Sequence, residues 1–156
     1  MVKNVLLMLV MGIFCMGVHA QVAEPYNPVR LEVPKGEKGY TIRGEIANTK
    51  DGMKVYLLND MVWPEVRLDS TVVKDGKFVF KGYVEYPLIL KVVLDSREGD
   101  DEGLLATAFY LENSDISYVA DVNTWESYYY NPDAKGKVPA VVKGSKENDL
   151  YLKMKK

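Results

Sequence analysis

From Tyr40 onward the chain falls into short runs in which apolar and polar residues alternate or apolar residues cluster, each ended by turn-forming residues. The runs are YTIRGEIAN (40–48), KVYLLND (54–60), RLDSTVV (67–73), KFVFKGYV (77–84), LILKVVLD (88–95), LLATAFYLE (104–112), ISYVADV (116–122) and AVVKG (140–144). A period of two sends neighbouring side chains to opposite faces, which is the pattern of a half-buried strand, and β-branched and aromatic residues fill the runs. Asp51-Gly52, Asp75-Gly76 and Glu112-Asn113-Ser114-Asp115 fall between runs, and no helical period intervenes between Tyr40 and Val142. Eight such runs predict an all-β fold, an antiparallel β-sandwich or a partly open barrel.

The stretch DSTVVKDGKFVFKG (69–82) is the sharpest local signal. Both central positions of a type I′ turn need positive φ, which Gly76 tolerates freely and Asp75 better than most residues. Continued as a hairpin, this turn pairs Lys74 with Lys77, Val73 with Phe78, Val72 with Val79 and Thr71 with Phe80. Val73, Phe78 and Phe80 then feed the core, and the two lysines, which repel each other, suit a solvated tip. Asp69 and Ser70 have no packing role at the hairpin's entry and are expected to hydrogen-bond the local backbone.

Outside the strand region the pattern changes twice. Residues 21–39 hold three prolines and two glycines without sustained periodicity, and read as an extended lead-in that in part lies on a sheet edge. At the other end, GSKENDLYLKMKK offers Ser145 as an N-cap, Glu147 and Asp149 in the first turns and lysines at the close, which complements the helix dipole. Asn148 and Asp149 weaken that helix, and Leu150 or Tyr151 with Met154 forms its apolar stripe.

The first residues alter the picture of where the domain works. Lys3 precedes an apolar run of roughly 14 residues, and Val18 and Ala20 stand at minus three and minus one of a cut, as in a secretory signal peptide. The expected organisation is therefore a signal peptide at 1–20, the lead-in at 21–39 and a β-sandwich domain with its helix at 40–156. That organisation gives a periplasmic or secreted protein with no membrane span after cleavage. Lipid attachment at Cys15 is disfavoured, because bulky Phe14 stands where lipoprotein signals carry a small residue. Cys15 and His19 are the chain's single cysteine and single histidine. Cleavage after Ala20 removes both, and with them Ser-His-Asp and Cys-His pairs, redox C-x-x-C motifs and zinc sites of Cys or His. The formal charge of −2 becomes about −3 without Lys3, with acids and lysines interspersed, so nucleic acid is not an expected partner.

Four stretches, VYLLND, LDSTVVKDGKFVFKGYVEYP, FYLENSDISYV and VKGSKENDLY, resemble an uncharacterised all-β domain found ahead of thioredoxin-like and AhpC/TSA-type modules in exported proteins of Gram-negative bacteria. The likeness runs from about Tyr40 to Tyr151. It rests on Asp69, Ser70, Asp75, Gly76, Lys77, Phe78, Phe80 and Gly82 at the hairpin, Leu111, Glu112 and Asn113 at a turn, and Gly144, Ser145, Asn148 and Asp149 at the exit. The resemblance implies no catalytic residues. It implies an exported accessory domain, and the thioredoxin-like module that would follow in such proteins is expected to be missing here.

Two loops carry candidate chemistry. Asp95, Glu98, Asp100, Asp101 and Glu102 crowd between two strands with two glycines, the composition of a hard-cation loop but bunched rather than alternating as in calcium loops. Trp125, Tyr128, Tyr129 and Tyr130 stand so close that a strand cannot turn all of them inward, and Trp63 extends the patch if the fold brings it near. Such aromatics pack, stack on a sugar or anchor a protein. The sequence reading is a non-enzymatic exported accessory or protein-interaction module without a cofactor. Its partner is expected to be a protein, and a thioredoxin-like protein of the envelope fits that place. The alternatives are a glycan-binding module using the aromatics and a hydrolase using carboxylates alone.

Overall fold

Each of the eight apolar runs forms a strand, and the lead-in adds a ninth. The structure is a computed structural model that describes residues 27–59, 61–62, 64–95, 104–124 and 138–154. Its elements are β1 (Val29–Arg30), β2 (Tyr40–Ala47), β3 (Lys54–Asn59), β4 (Val66–Val72), β5 (Lys77–Val84), β6 (Leu88–Asp95), β7 (Leu104–Leu111), β8 (Asp115–Asp121), β9 (Val141–Lys143) and the helix α1 (Lys146–Met154). They make two sheets, β1-β5-β2-β8-β9 and β4-β3-β6-β7, and no closed barrel. Among the described residues no helix is long and apolar enough to cross a membrane.

The turn at Asp75-Gly76 is the one its residues demand, with φ of 51° and 70°, and Lys74 and Lys77 exchange two backbone hydrogen bonds of 2.9 Å. The hairpin, however, ends there. Val73 N–H donates to Met53 O at 2.8 Å in the four-stranded sheet, while Phe78 pairs with Gly44 in the five-stranded one. The expected pairs Val73–Phe78, Val72–Val79 and Thr71–Phe80 are therefore not formed. The reason is burial. An amphipathic strand gains more by facing a second sheet than by lying beside its neighbour in one, and Val73, Phe78 and Phe80 enter the same core from opposite sheets.

The sandwich also contains one parallel pair, β2 with β8, among otherwise antiparallel neighbours. Several strands separate β2 from β8 in sequence, so no turn dictates their relative direction.

Two cross-strand pairs between β2 and β5 set the centre of the core. Gly44 lies opposite Phe78 and Gly82 opposite Tyr40, with Ile42 and Phe80 paired between them. At each glycine a neighbour occupies the room a side chain would take: a Cβ on Gly44 would fall within the Phe78 ring, and one on Gly82 would stand 2.5 Å from the Arg30 carbonyl oxygen and 2.7 Å from the Tyr40 hydroxyl. From there a file of edge-to-face rings crosses the core: Phe80 to Phe78 at 5.5 Å, Phe78 to Tyr118 at 6.1 Å and Tyr118 to Phe109 at 5.8 Å.

Tyr40 is buried, and its hydroxyl has no hydrogen-bond partner among the described residues. Burial first, and the Asp69 carboxylate second, push its phenol well above the ordinary tyrosine range. Tyr40→Phe is therefore expected to stabilise the protein by about 1 kcal/mol at neutral pH, since it removes a buried unmet polar group. A raised folded value holds its contribution below the unfolded value, about pH 10, and loses it as the pH climbs toward the folded one. Urea titrations at pH 7 and pH 11 should thus show the gap in favour of Tyr40→Phe widening in alkali; a variant less stable than the parent at both would refute the assignment.

The strand β4 carries a bulge, where the register against β3 slips between Leu57 and Leu58. Asp69 sits at that slip, half-buried, and accepts a hydrogen bond from the Ser70 N–H at 2.7 Å, the local backbone role expected of it.

Candidate functional site

Outside the hairpin, Glu112, Asn113, Gly144, Ser145 and Asn148 of the family-like motif are taken up in holding backbone together, while Leu111 lies in the core. Asn113 accepts from Val84 N–H at 2.9 Å and donates to Val84 O at 2.7 Å, so its carboxamide replaces one peptide unit of a neighbouring strand at the end of β5. Glu112 receives the first two amides of α1, Lys146 at 2.8 Å and Glu147 at 3.4 Å. Ser145, the expected N-cap, accepts from Asn148 N–H at 3.0 Å. Gly144 has φ of 92° and passes against the Asp115 carbonyl, where a side chain has no room.

Asn148 reverses its expected role. Instead of weakening the helix it is buried in α1, and its Oδ1 takes the Tyr110 N–H of the edge strand β7 at 3.2 Å. One helical turn on, Tyr151 meets the Tyr110 ring edge-on at 5.3 Å. Of the anticipated stripe of Leu150 or Tyr151 with Met154, Leu150 and Met154 are exposed and Tyr151 is half-buried, so the helix packs through Asn148 and Tyr151.

These contacts frame an open cleft of about 450 Å³ at one end of the sandwich. Pro28 leads into β1 on one side; Asn59, Met61 and Val62 leave β3; Tyr86, Pro87, Leu88 and Ile89 make the β5–β6 turn and the start of β6; Tyr110 closes β7. Asn113 fixes Val84 two residues before Tyr86, and Asn148 fixes Tyr110 itself, so the motif residues position two walls of the cleft. None of the nine lining side chains among the described residues is an acid or a base of the Asp, Glu, Lys, Arg or His type. Met61 is 70% exposed and Tyr86 50%, an apolar surface left to solvent.

The residues singled out from sequence mostly fall elsewhere. Trp63, Trp125, Tyr128, Tyr129 and Tyr130 lie outside the described residues, as do Glu98, Asp100, Asp101 and Glu102. Asp95 is described, half-buried at the end of β6 opposite Lys54. Among the described residues there is no group of three metal-ligating side chains. The flanks of the two aromatic stretches stand at opposite ends of the sandwich: Val62 lines the cleft, whereas Thr124 pairs with Val138 beyond Asp121, which lies against Asn48 at the far end.

Sequence reasoning missed Met61, Val62, Tyr86 and Pro87. The available signal was chemical: apolar residues in turns, where polar ones are the rule.

No curated protein and no solved structure matches the chain. The family comparison does find a match, over residues 40–151, from the first residue of β2 into the last turns of α1. The chain thus belongs to the family described as Domain of unknown function (DUF4369).

Proposed function

We propose that this chain is an exported, non-enzymatic interaction module that docks a protein partner in the cleft between Pro28, Met61 and Tyr86. The observation that carries the reading is that cleft: open, apolar and uncharged among its described lining residues, and walled by residues that the motif asparagines hold in place. Exposed aromatic and thioether side chains around a concave surface supply contact area at low entropic cost. The signal-like segment at 1–20 supports release into the periplasm or medium after cleavage behind Ala20. The resemblance to domains that stand beside thioredoxin-like oxidoreductases supports such a protein as the partner, with the thiol chemistry residing wholly in that partner.

A photo-cross-linking residue placed at Tyr86, at Val62, or at Val79 on the outer face of the five-stranded sheet tests this in the native envelope fraction. Discrete adducts are expected from the two cleft positions and not from Val79, which is 47% exposed and serves as the control. Equal labelling from Val79, or no adduct from either cleft position, would rule the reading out.

A further inference from the structure

We propose that β4 is a strand-addition edge that Asp69 holds closed: its carboxylate occupies the Ser70 N–H, and without it β4 pairs antiparallel with β4 of a second copy of this chain. The proposal does not depend on what the cleft binds.

An edge strand displays backbone groups with which a further strand can pair. Of the four edges of the two described sheets, β1 has two residues and β9 three, which is too short for a stable ladder. The edge of β7 meets α1 through the Tyr110 N–H bond to Asn148, and Ala140 through the Thr107 hydroxyl. That leaves β4, seven residues long and paired on one side with β3. Arg67 and Ser70 are exposed and Val72 is 52% exposed, so this edge is open to solvent.

Which groups face outward follows from the ladder. Val73 N–H donates to Met53 O, and Val73 O accepts from Gly52 N–H, so both turn toward β3. Backbone direction alternates along a strand, which turns Thr71 toward β3 as well, and Val72 and Ser70 outward. The bulge at Leu68 ends that regular stretch. Two copies related by a two-fold axis through Thr71 set Ser70 of each opposite Val72 of the other, and each such pair can exchange both its N–H and its C=O. The edge is thus complementary to itself, which makes a second copy its natural occupant. In the single chain Asp69 Oδ1 stands 2.7 Å from Ser70 N, in the place that the second copy's Val72 carbonyl would take. Asp69 therefore closes one of the two outward donors on each copy.

Sedimentation equilibrium of the chain from Gln21, as the proposed cleavage leaves it, tests this. Asp69→Ala removes the cap and should dimerise at least about tenfold more tightly than the parent, since two N–H groups per dimer become available for pairing. Asp69→Asn keeps an acceptor for Ser70 N–H and should stay close to the parent. Asp69→Ala combined with Ser70→Pro removes the N–H itself, at an edge position outside the β3 ladder where proline is tolerated, and should return to the parent's state. Association caused by a mere loss of stability would persist in that double variant. Should Asp69→Ala not fold, Asp69→Val, which lacks an acceptor and favours a strand, takes its place. Equal association of the parent and Asp69→Ala, association of Asp69→Asn as tight as that of Asp69→Ala, or a dimer undiminished by Ser70→Pro would overturn the proposal. The reading of the cleft is decided separately, by the cross-linking at Tyr86 and Val62.

Discussion

Gly44→Ala is expected to cost about 3 kcal/mol, because overpacking a filled core displaces side chains and backbone together. The new methyl would stand inside the Phe78 ring, which is buried on the strand directly opposite. Phe78 cannot swing aside freely, since it is held edge-to-face between Phe80 and Tyr118. Moving it disturbs the whole file of rings that joins the two sheets. Urea denaturation measures the loss. A cycle with Phe78→Leu identifies its cause: the double variant should be more stable than the sum of the single effects predicts by about 1 kcal/mol or more, as the smaller side chain vacates the space. Additive costs would mean that the ring is not what excludes the methyl.

Asn113→Ala is expected to cost about 2–3 kcal/mol, as it leaves both the N–H and the carbonyl of Val84 without their partner. Val84 is buried, so solvent does not readily replace the lost bonds. Asn113→Asp keeps the acceptor for Val84 N–H and loses the donor to Val84 O, and should fall between the parent and the alanine variant. Thermal melts of the three proteins give the order. Because Val84 leads into Tyr86, Asn113→Ala should also shift the Tyr86 amide resonance, whereas a loss of stability that left Tyr86 untouched would separate the motif from the cleft.

How far the fold was legible depended on how local its determinants are. Alternation along one strand is a property of neighbouring residues, so all eight runs from Tyr40 onward and the cap at Ser145 could be read directly. Which strand lies beside which is decided by distant partners. Asp75-Gly76 specifies its own turn and one bridging pair, but the departure of Val73 and Phe78 to different sheets depends on Met53 and Gly44, which are remote in sequence. The parallel β2–β8 pair has no turn to announce it. Asn148 looked unfavourable because helix propensity takes no account of a strand edge whose N–H needs an acceptor. The cleft was the least legible feature, since Pro28, Asn59, Tyr86 and Tyr110 share no motif and meet only after both sheets have formed.

Glu112, Asn113, Ser145 and Asn148 are parts of one closure between strands, helix and cleft wall. Native-state hydrogen exchange tests this most directly, at the amides those side chains hold: Val84 on Asn113, Tyr110 on Asn148 and Asn148 on Ser145. The three should exchange with one free energy, equal to that of global unfolding measured by urea denaturation. Exchange of these amides through separate, low-energy openings while core amides such as Phe80 remain protected would contradict it, and would mark the motif as a mobile region in place of a structural closure.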